Sequence, residues 1–143
     1  MKPEFDTALV QIIAEDPRYA GDAYSFLCDA LKYTVKQRKK AKEASHHVSG
    51  QQLLEGIRAY ALKQFGPMVP TVFEYWGIRR CEDFGAMVFN MISVGLFGKT
   101  DSDSIDDFKA IYNFHDAFIA PYLPAPGAVH RRLLLDRPAA ELR

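Results

Sequence analysis

Apolar residues recur at helical spacing along most of the first 123 residues of the chain. The first repeat runs from Phe5 through Leu9 to Ile12, which would lie on one face of an amphipathic helix. Asp16 and Pro17 are predicted to end this helix and to begin the second, with Asp16 as N-cap and Pro17 in the first helical position. The first two helices would therefore be joined by a very short connection.

The second and third helices are separated by a polar stretch. An apolar stripe from Ala20 to Val35 predicts the second helix. Ser49 and Gln52 match a capping box, in which each side chain bonds the other residue's backbone amide, so the third helix is predicted to begin there. Gly66-Pro67 is predicted to end it, because glycine adopts the left-handed conformation and proline cannot continue a helix.

Three further helices are predicted after Pro67. A short one spans residues 69–76 and is closed by Gly77, with Ile78 packing back in a Schellman arrangement. The next begins near Cys81 and ends at Gly98. The last long helix is predicted to carry apolar residues from Phe108 onward, and prolines interrupt the chain after it.

These elements define a fold class. The chain is predicted to be an all-α, compact single-domain bundle of about six helices of unequal length. Residues 1–123 would form the helical domain, and residues 124–143 would form a proline-bounded C-terminal tail.

Composition limits the kinds of partner. The 143 residues are 48% hydrophobic and carry 18 basic and 18 acidic side chains, so any electrostatic partner must be recognised by a local patch. The two cysteines do not form a disulfide framework. No signal-peptide core appears at the N-terminus, and no apolar run approaches the roughly 20 residues of a membrane-spanning helix. We therefore expect a cytoplasmic protein without a membrane partner.

Several segments resemble a known group of proteins. They are HVSGQQLLEGIRAYALKQFGP, VFEYWGI and EDFGAMVFNMI, together with RYAGDAYSFLCDALKYTV and KTDSDSIDDF. The chain is similar in these segments, over most of residues 4–118, to a small family of uncharacterised bacterial proteins. The resemblance implies one globular unit and implies no activity, cofactor or site.

A basic segment is the leading candidate for a binding surface. Its members are Lys36, Arg38, Lys39, Lys40 and Lys42, and a single acid, Glu43, lies next to them. On a helix such a strip contacts phosphates or an acidic protein without reading sequence. The alternative interpretation is an ordinary solvated helix face.

A second candidate is an interhelical pocket formed by Tyr60, Trp76, Cys81 and His115. Cys81 is predicted at a helix N-terminus after two arginines, and both features favour a thiolate. Against these predictions, Cys81 could be a small helix-capping residue and His115 an ordinary core histidine.

No motif in the sequence identifies a reaction. Ser93 to Thr100 lacks the first glycine of a phosphate-binding loop and lies after a predicted helix rather than a strand. No catalytic set, metal site or cofactor is predicted. The leading hypothesis is a non-catalytic protein-interaction or assembly module that contacts an acidic protein, or RNA, through the basic segment. The alternative is a small enzyme or ligand-binding protein, and homo-oligomers are compatible with either.

Overall fold

The computed structural model describes residues 4–40, 48–98 and 105–124. Within these ranges it contains five α-helices and no strand. The prediction of an all-α fold is therefore confirmed for these residues, but the predicted count of six helices is not. The helices are α1 (Phe5–Glu15), α2 (Gly21–Lys40), α3 (Gly50–Phe65), α4 (Val69–Trp76) and α5 (Cys81–Ser93).

The connection between α1 and α2 is longer than predicted. Helix α2 begins at Gly21, so the prediction of a helix start at Pro17 with Asp16 as its N-cap is wrong. The Asp16 carboxylate instead accepts hydrogen bonds from the backbone amide and the guanidinium of Arg18. These bonds satisfy the carboxylate inside the turn and leave it unavailable for the amides of α2.

Both ends of α3 are where the sequence predicts them. The Ser49 hydroxyl accepts from the Gln52 amide at 3.1 Å, and the Gln52 side chain accepts from the Ser49 amide at 2.9 Å. Gly66 ends the helix with φ +53°. The predicted capping box and glycine stop are therefore confirmed. Each depends only on residues a few positions apart, so the local sequence was sufficient to predict it.

Helix α4 ends in the predicted Schellman arrangement. The Ile78 amide donates to the Phe73 carbonyl at 2.8 Å, the Gly77 amide donates to the Glu74 carbonyl at 3.1 Å, and Gly77 has φ +87°. A Cβ at Gly77 would collide with the Arg18 carbonyl oxygen, so only glycine fits there.

Helix α5 ends five residues before the predicted stop. Gly95, rather than Gly98, adopts the left-handed conformation, with φ +84°. The Leu96 amide then donates to the Met91 carbonyl at 2.9 Å, which completes a second Schellman arrangement. The sequence offers two glycines, and the first of them ends the helix.

The predicted last long helix is wrong. Short helical turns at Ile105–Phe108, His115–Ile119 and Ala120–Tyr122 replace it. Between them Ala110 has φ +49°, which a continuous helix excludes. Phe108 packs so closely on Gly50 and Gly85 that a Cβ at either glycine would approach its side chain within about 3 Å. This contact between residues far apart in sequence overrides the local helical pattern.

The core of the described residues is aromatic. Phe73 is buried, and its ring centroid lies 5.3–6.2 Å from the rings of five neighbours that come from four parts of the chain. Such ring pairs stabilise a core beyond the area that they bury. The five neighbours are Phe26, Trp76, Phe84, Phe114 and Phe118.

Some predictions fall outside the described residues. They are the tail beyond Pro124, with the domain boundary drawn there, and the basic residue Lys42. Among the residues that are described, no helix has the length and apolar character required to cross a bilayer.

Candidate functional site

Helix α2 presents two different rows of side chains to one cleft of about 1010 Å³. The first row is apolar and contains Cys28, Leu31 and Val35, at helical spacings of three and four. The second row, beside it, is basic and is described below. From Cys28 to the last cleft residue of α2 the helix runs about 16 Å, or three turns.

The opposite wall of the cleft is apolar throughout. Val88, Phe89 and Ile92 come from α5, and Leu96 and Phe97 come from the turn that the Gly95 Schellman arrangement creates. Had α5 continued to Gly98, these last two side chains would lie on a helix face instead. The unpredicted early stop of α5 therefore shapes this wall.

Part of the lining of the cleft comes from other elements. Leu53 of α3, Phe108 and Phe5 of α1 also line it, and the first two are buried. Several described elements therefore contribute to the cleft, and their positions depend on tertiary packing. No local pattern in the sequence could have assembled this set.

The charge of the cleft is uneven. Lys32, Lys36 and Lys39 line it along α2, at spacings of four and three, and all three are exposed. Two carboxylates, Asp29 and Asp107, also line it. Because the α5 wall carries no charged side chain, the cleft has a basic rim on one side and an apolar wall on the other.

The predicted basic segment is divided between two faces of α2. Lys36 and Lys39 line the large cleft, whereas Arg38 lines a separate groove between α2 and α3. Lys40 is exposed at the end of the helix and lines neither of these two clefts. Sequence analysis missed Lys32, because three residues without positive charge separate it from the rest. The spacing of 32, 36 and 39 was the signal that would have found it.

Two of the four predicted pocket residues lie close together. The rings of Tyr60 and Trp76 flank the ring of Phe26, with centroid distances of 5.6 and 5.4 Å. Both side chains are half-buried and pack against the buried core, with Phe26 between them. None of the four predicted residues lines the large cleft.

Cys81 is buried at the start of α5. Its thiol donates to the Tyr112 carbonyl oxygen, with a sulfur–oxygen distance of 3.2 Å. Burial raises the pKa of Cys81, which is the reverse of the direction that its helix position and the two arginines led us to expect. The thiol therefore stays protonated at neutral pH and is a poor nucleophile.

His115 lies at the surface rather than on a buried stripe. Its side chain is 59% exposed, and its Nδ1 lies 3.6 Å from the carboxylate of Asp116, which is exposed as well. Within residues 4–40, 48–98 and 105–124, no cluster of three or more His, Cys, Asp or Glu side chains could hold a metal ion.

Two marked pKa shifts lie away from the cleft, in the connection between α1 and α2. Hydrogen bonds from Arg18 hold the pKa of Asp16 well below its usual range, and burial raises the pKa of Tyr19. Asp16 also accepts from Asn90 at 2.9 Å, and the Tyr19 hydroxyl donates to Asp83 at 2.6 Å. These bonds tie the α1–α2 connection to α5, so the shifts have a structural cause and do not indicate catalysis.

Comparison with known proteins adds no identity to this geometry. Neither the family models nor the curated proteins nor the solved structures include a match to the chain. The resemblance to uncharacterised bacterial proteins therefore stays a prediction, and any functional argument must start from the cleft.

Proposed function

We propose that this protein is a non-catalytic interaction module whose binding site is the cleft between α2 and α5. Its partner is a segment of another protein that carries both apolar and acidic side chains. The observation that carries the proposal is the pairing of an apolar wall with the basic rim of Lys32, Lys36 and Lys39.

The size of the cleft leaves room for part of a macromolecular partner. Pockets for small molecules usually measure about 300–1,000 Å³. At about 1010 Å³ the cleft reaches the upper end of that range, and with a lysine rim about two helical turns long it accommodates several side chains of a partner. Apolar residues of the partner would be removed from water against Leu31, Val35 and the α5 wall, at a gain of roughly 25 cal/mol per Å².

The composition of the apolar wall supports an acidic protein over RNA. RNA would place its phosphates on the lysines and its bases on the two aromatic side chains of the wall, but the other side chains of that wall are aliphatic and match the apolar side chains of a protein better. Asp29 and Asp107 repel phosphates and carboxylates alike, so the preference rests on the apolar wall. Arg38, which would extend a phosphate-binding strip, lies on the other side of α2.

Photo-crosslinking at the cleft tests this proposal. A photoreactive amino acid replaces Ser25, an exposed residue that lines the cleft, and the protein is irradiated in cell extract at low and raised salt. We expect crosslinks to a protein. The double variant Lys36→Glu, Lys39→Glu should abolish these crosslinks, and raised salt should weaken them. Lys40→Glu is the matched control, because it reverses a charge one residue away that does not line the cleft.

Two results would overturn the proposal. Crosslinks that persist in the Lys36→Glu, Lys39→Glu variant would show that the rim does not select the partner. Crosslinks to nucleic acid, or their loss on nuclease treatment, would replace the acidic protein with RNA.

A further inference from the structure

We infer that the segment bound in the cleft is an acidic amphipathic α-helix that lies alongside α2. This inference rests on the proposed function and adds the conformation of the partner and the spacing of its charges. A helix-in-groove complex of this kind is read through apolar anchors that repeat every three or four residues.

The spacing of the rim is the first support. Lys32, Lys36 and Lys39 lie along one face of a straight helix at intervals of four and three. These intervals correspond to about 6 and 4.5 Å along the helix axis. Carboxylates at the same intervals on an adjacent helix repeat both distances, whereas successive side chains on one face of a strand are evenly spaced at about 6.6 Å. A helical partner therefore presents one acid to each lysine along the whole rim.

The walls are the second support. A partner helix beside α2 would have its acidic row against the lysines and its adjacent face against Leu53, Ile92 and Phe97. Helices pack with their axes about 8–10 Å apart, so the two faces of one helix reach both walls of a groove. The uneven charge of the cleft thus matches a helix with an acidic row next to an apolar row.

The third support is that the described part of the cleft has no open sheet edge. An extended peptide gains most of its affinity by adding a strand to an open sheet. The described residues that form this cleft belong to helices and helical turns or to their connections, and none belongs to a strand. A helix satisfies its own backbone hydrogen bonds and needs none from the cleft.

Thiol protection measures binding with the intact protein. Cys28 lines the cleft, whereas Cys81 is buried and its pKa is raised, so alkylation at neutral pH reports on Cys28. The probe is a pool of peptides of about 14 residues with glutamates at intervals of three and four and varied apolar residues beside them. The control pool is identical except for a central proline.

We expect the helical pool to slow alkylation of Cys28 and to gain helical circular dichroism when it binds. The proline pool should bind roughly a hundredfold more weakly, because proline in a helix interior costs about 3 kcal/mol. Lys36→Glu with Lys39→Glu should weaken binding of the helical pool about tenfold or more, and Lys40→Glu should change it less than about twofold.

Equal protection by the proline pool would overturn the inference while leaving the proposed function intact, because an acidic apolar segment would still bind. No protection by either pool would also overturn it. Laurate, a small amphiphile, is a further probe in the same assay. If laurate protects Cys28 and the helical pool does not, the cleft holds a small amphiphile, and this result would overturn the proposed function as well.

Discussion

The two halves of helix α2 have different surroundings. In the first half, Gly21–Ala30, the buried residues are Ala23, Tyr24, Phe26, Leu27 and Ala30. In the second half, from Leu31 to Lys40, Thr34 is the only buried residue. The same helix therefore passes from an enclosed aromatic core to the wall of an open cleft. The buried residues of α2 are concentrated in the first half, and the lysine rim of the candidate binding surface lies in the second.

The largest expected effect tests the enclosed region. Phe73→Ala should lower the free energy of unfolding by about 3–5 kcal/mol, because it leaves a cavity among five aromatic rings. Phe97→Ala, in the cleft wall, should cost only about 1 kcal/mol, since its side chain is partly solvated already. Urea denaturation of both variants measures the difference. Equal losses would mean that the cleft is as closely packed as the core.

A smaller effect tests how the second half of α2 is held against α3. A Cβ at Gly56 would overlap the Thr34 hydroxyl, which is buried and donates to the Ala30 carbonyl at 2.7 Å. Gly56→Ala should therefore destabilise the protein by about 1–3 kcal/mol, despite the better helix propensity of alanine.

The double variant gives this prediction a sharp control. In a Thr34→Gly background the hydroxyl, methyl and Cβ that the new side chain would meet are all removed, and Gly56→Ala should then stabilise the protein by up to about 1 kcal/mol. The sign of the effect should thus reverse in a double-mutant cycle measured by chemical denaturation. The same sign in both backgrounds would show that the two helices do not approach at this point.

The smallest effect is a pH dependence in the connection that precedes the enclosed half of α2. Because the pKa of Asp16 is lowered in the folded protein, its contribution to stability is complete above the unfolded pKa of about 3.9 and is lost as pH falls below it. Asp16→Asn should cost about 0.5–1.5 kcal/mol at pH 7, since the paired guanidinium of Arg18 is largely exposed. That cost should shrink by about pH 2–3. A cost independent of pH would exclude the charge as its origin.

The features that the sequence could predict depend on neighbouring residues, and those that it could not predict depend on contacts between residues far apart in the chain. The capping box at Ser49 and the Schellman arrangement at Gly77 involve neighbours in the chain, so local chemistry was sufficient. The irregular path through Ala110 depends on the packing of Phe108 against Gly50 and Gly85, which lie far away in sequence. A pattern of helical period cannot reveal such contacts.

The candidate site shows the same limit. The positive charge of Lys36 and Lys39 was visible in the sequence, but the apolar wall that faces them was not. That wall exists because α5 stops at Ser93 and directs Leu96 and Phe97 toward α2. The four residues of the predicted pocket were instead selected by residue type, and tertiary packing places Tyr60 and Trp76 against the core, outside the cleft.

The close approach of Gly77 to Arg18 has a consequence for how the chain can vary in length. The Arg18 carbonyl occupies the space of a Gly77 side chain, the Ala20 amide donates to the Trp76 carbonyl at 3.2 Å, and Tyr19 reaches Asp83. The connection between α1 and α2 and the connection between α4 and α5 are thus held against each other residue by residue. An insertion in one would shift the other out of register, so these loops must change together or keep their lengths.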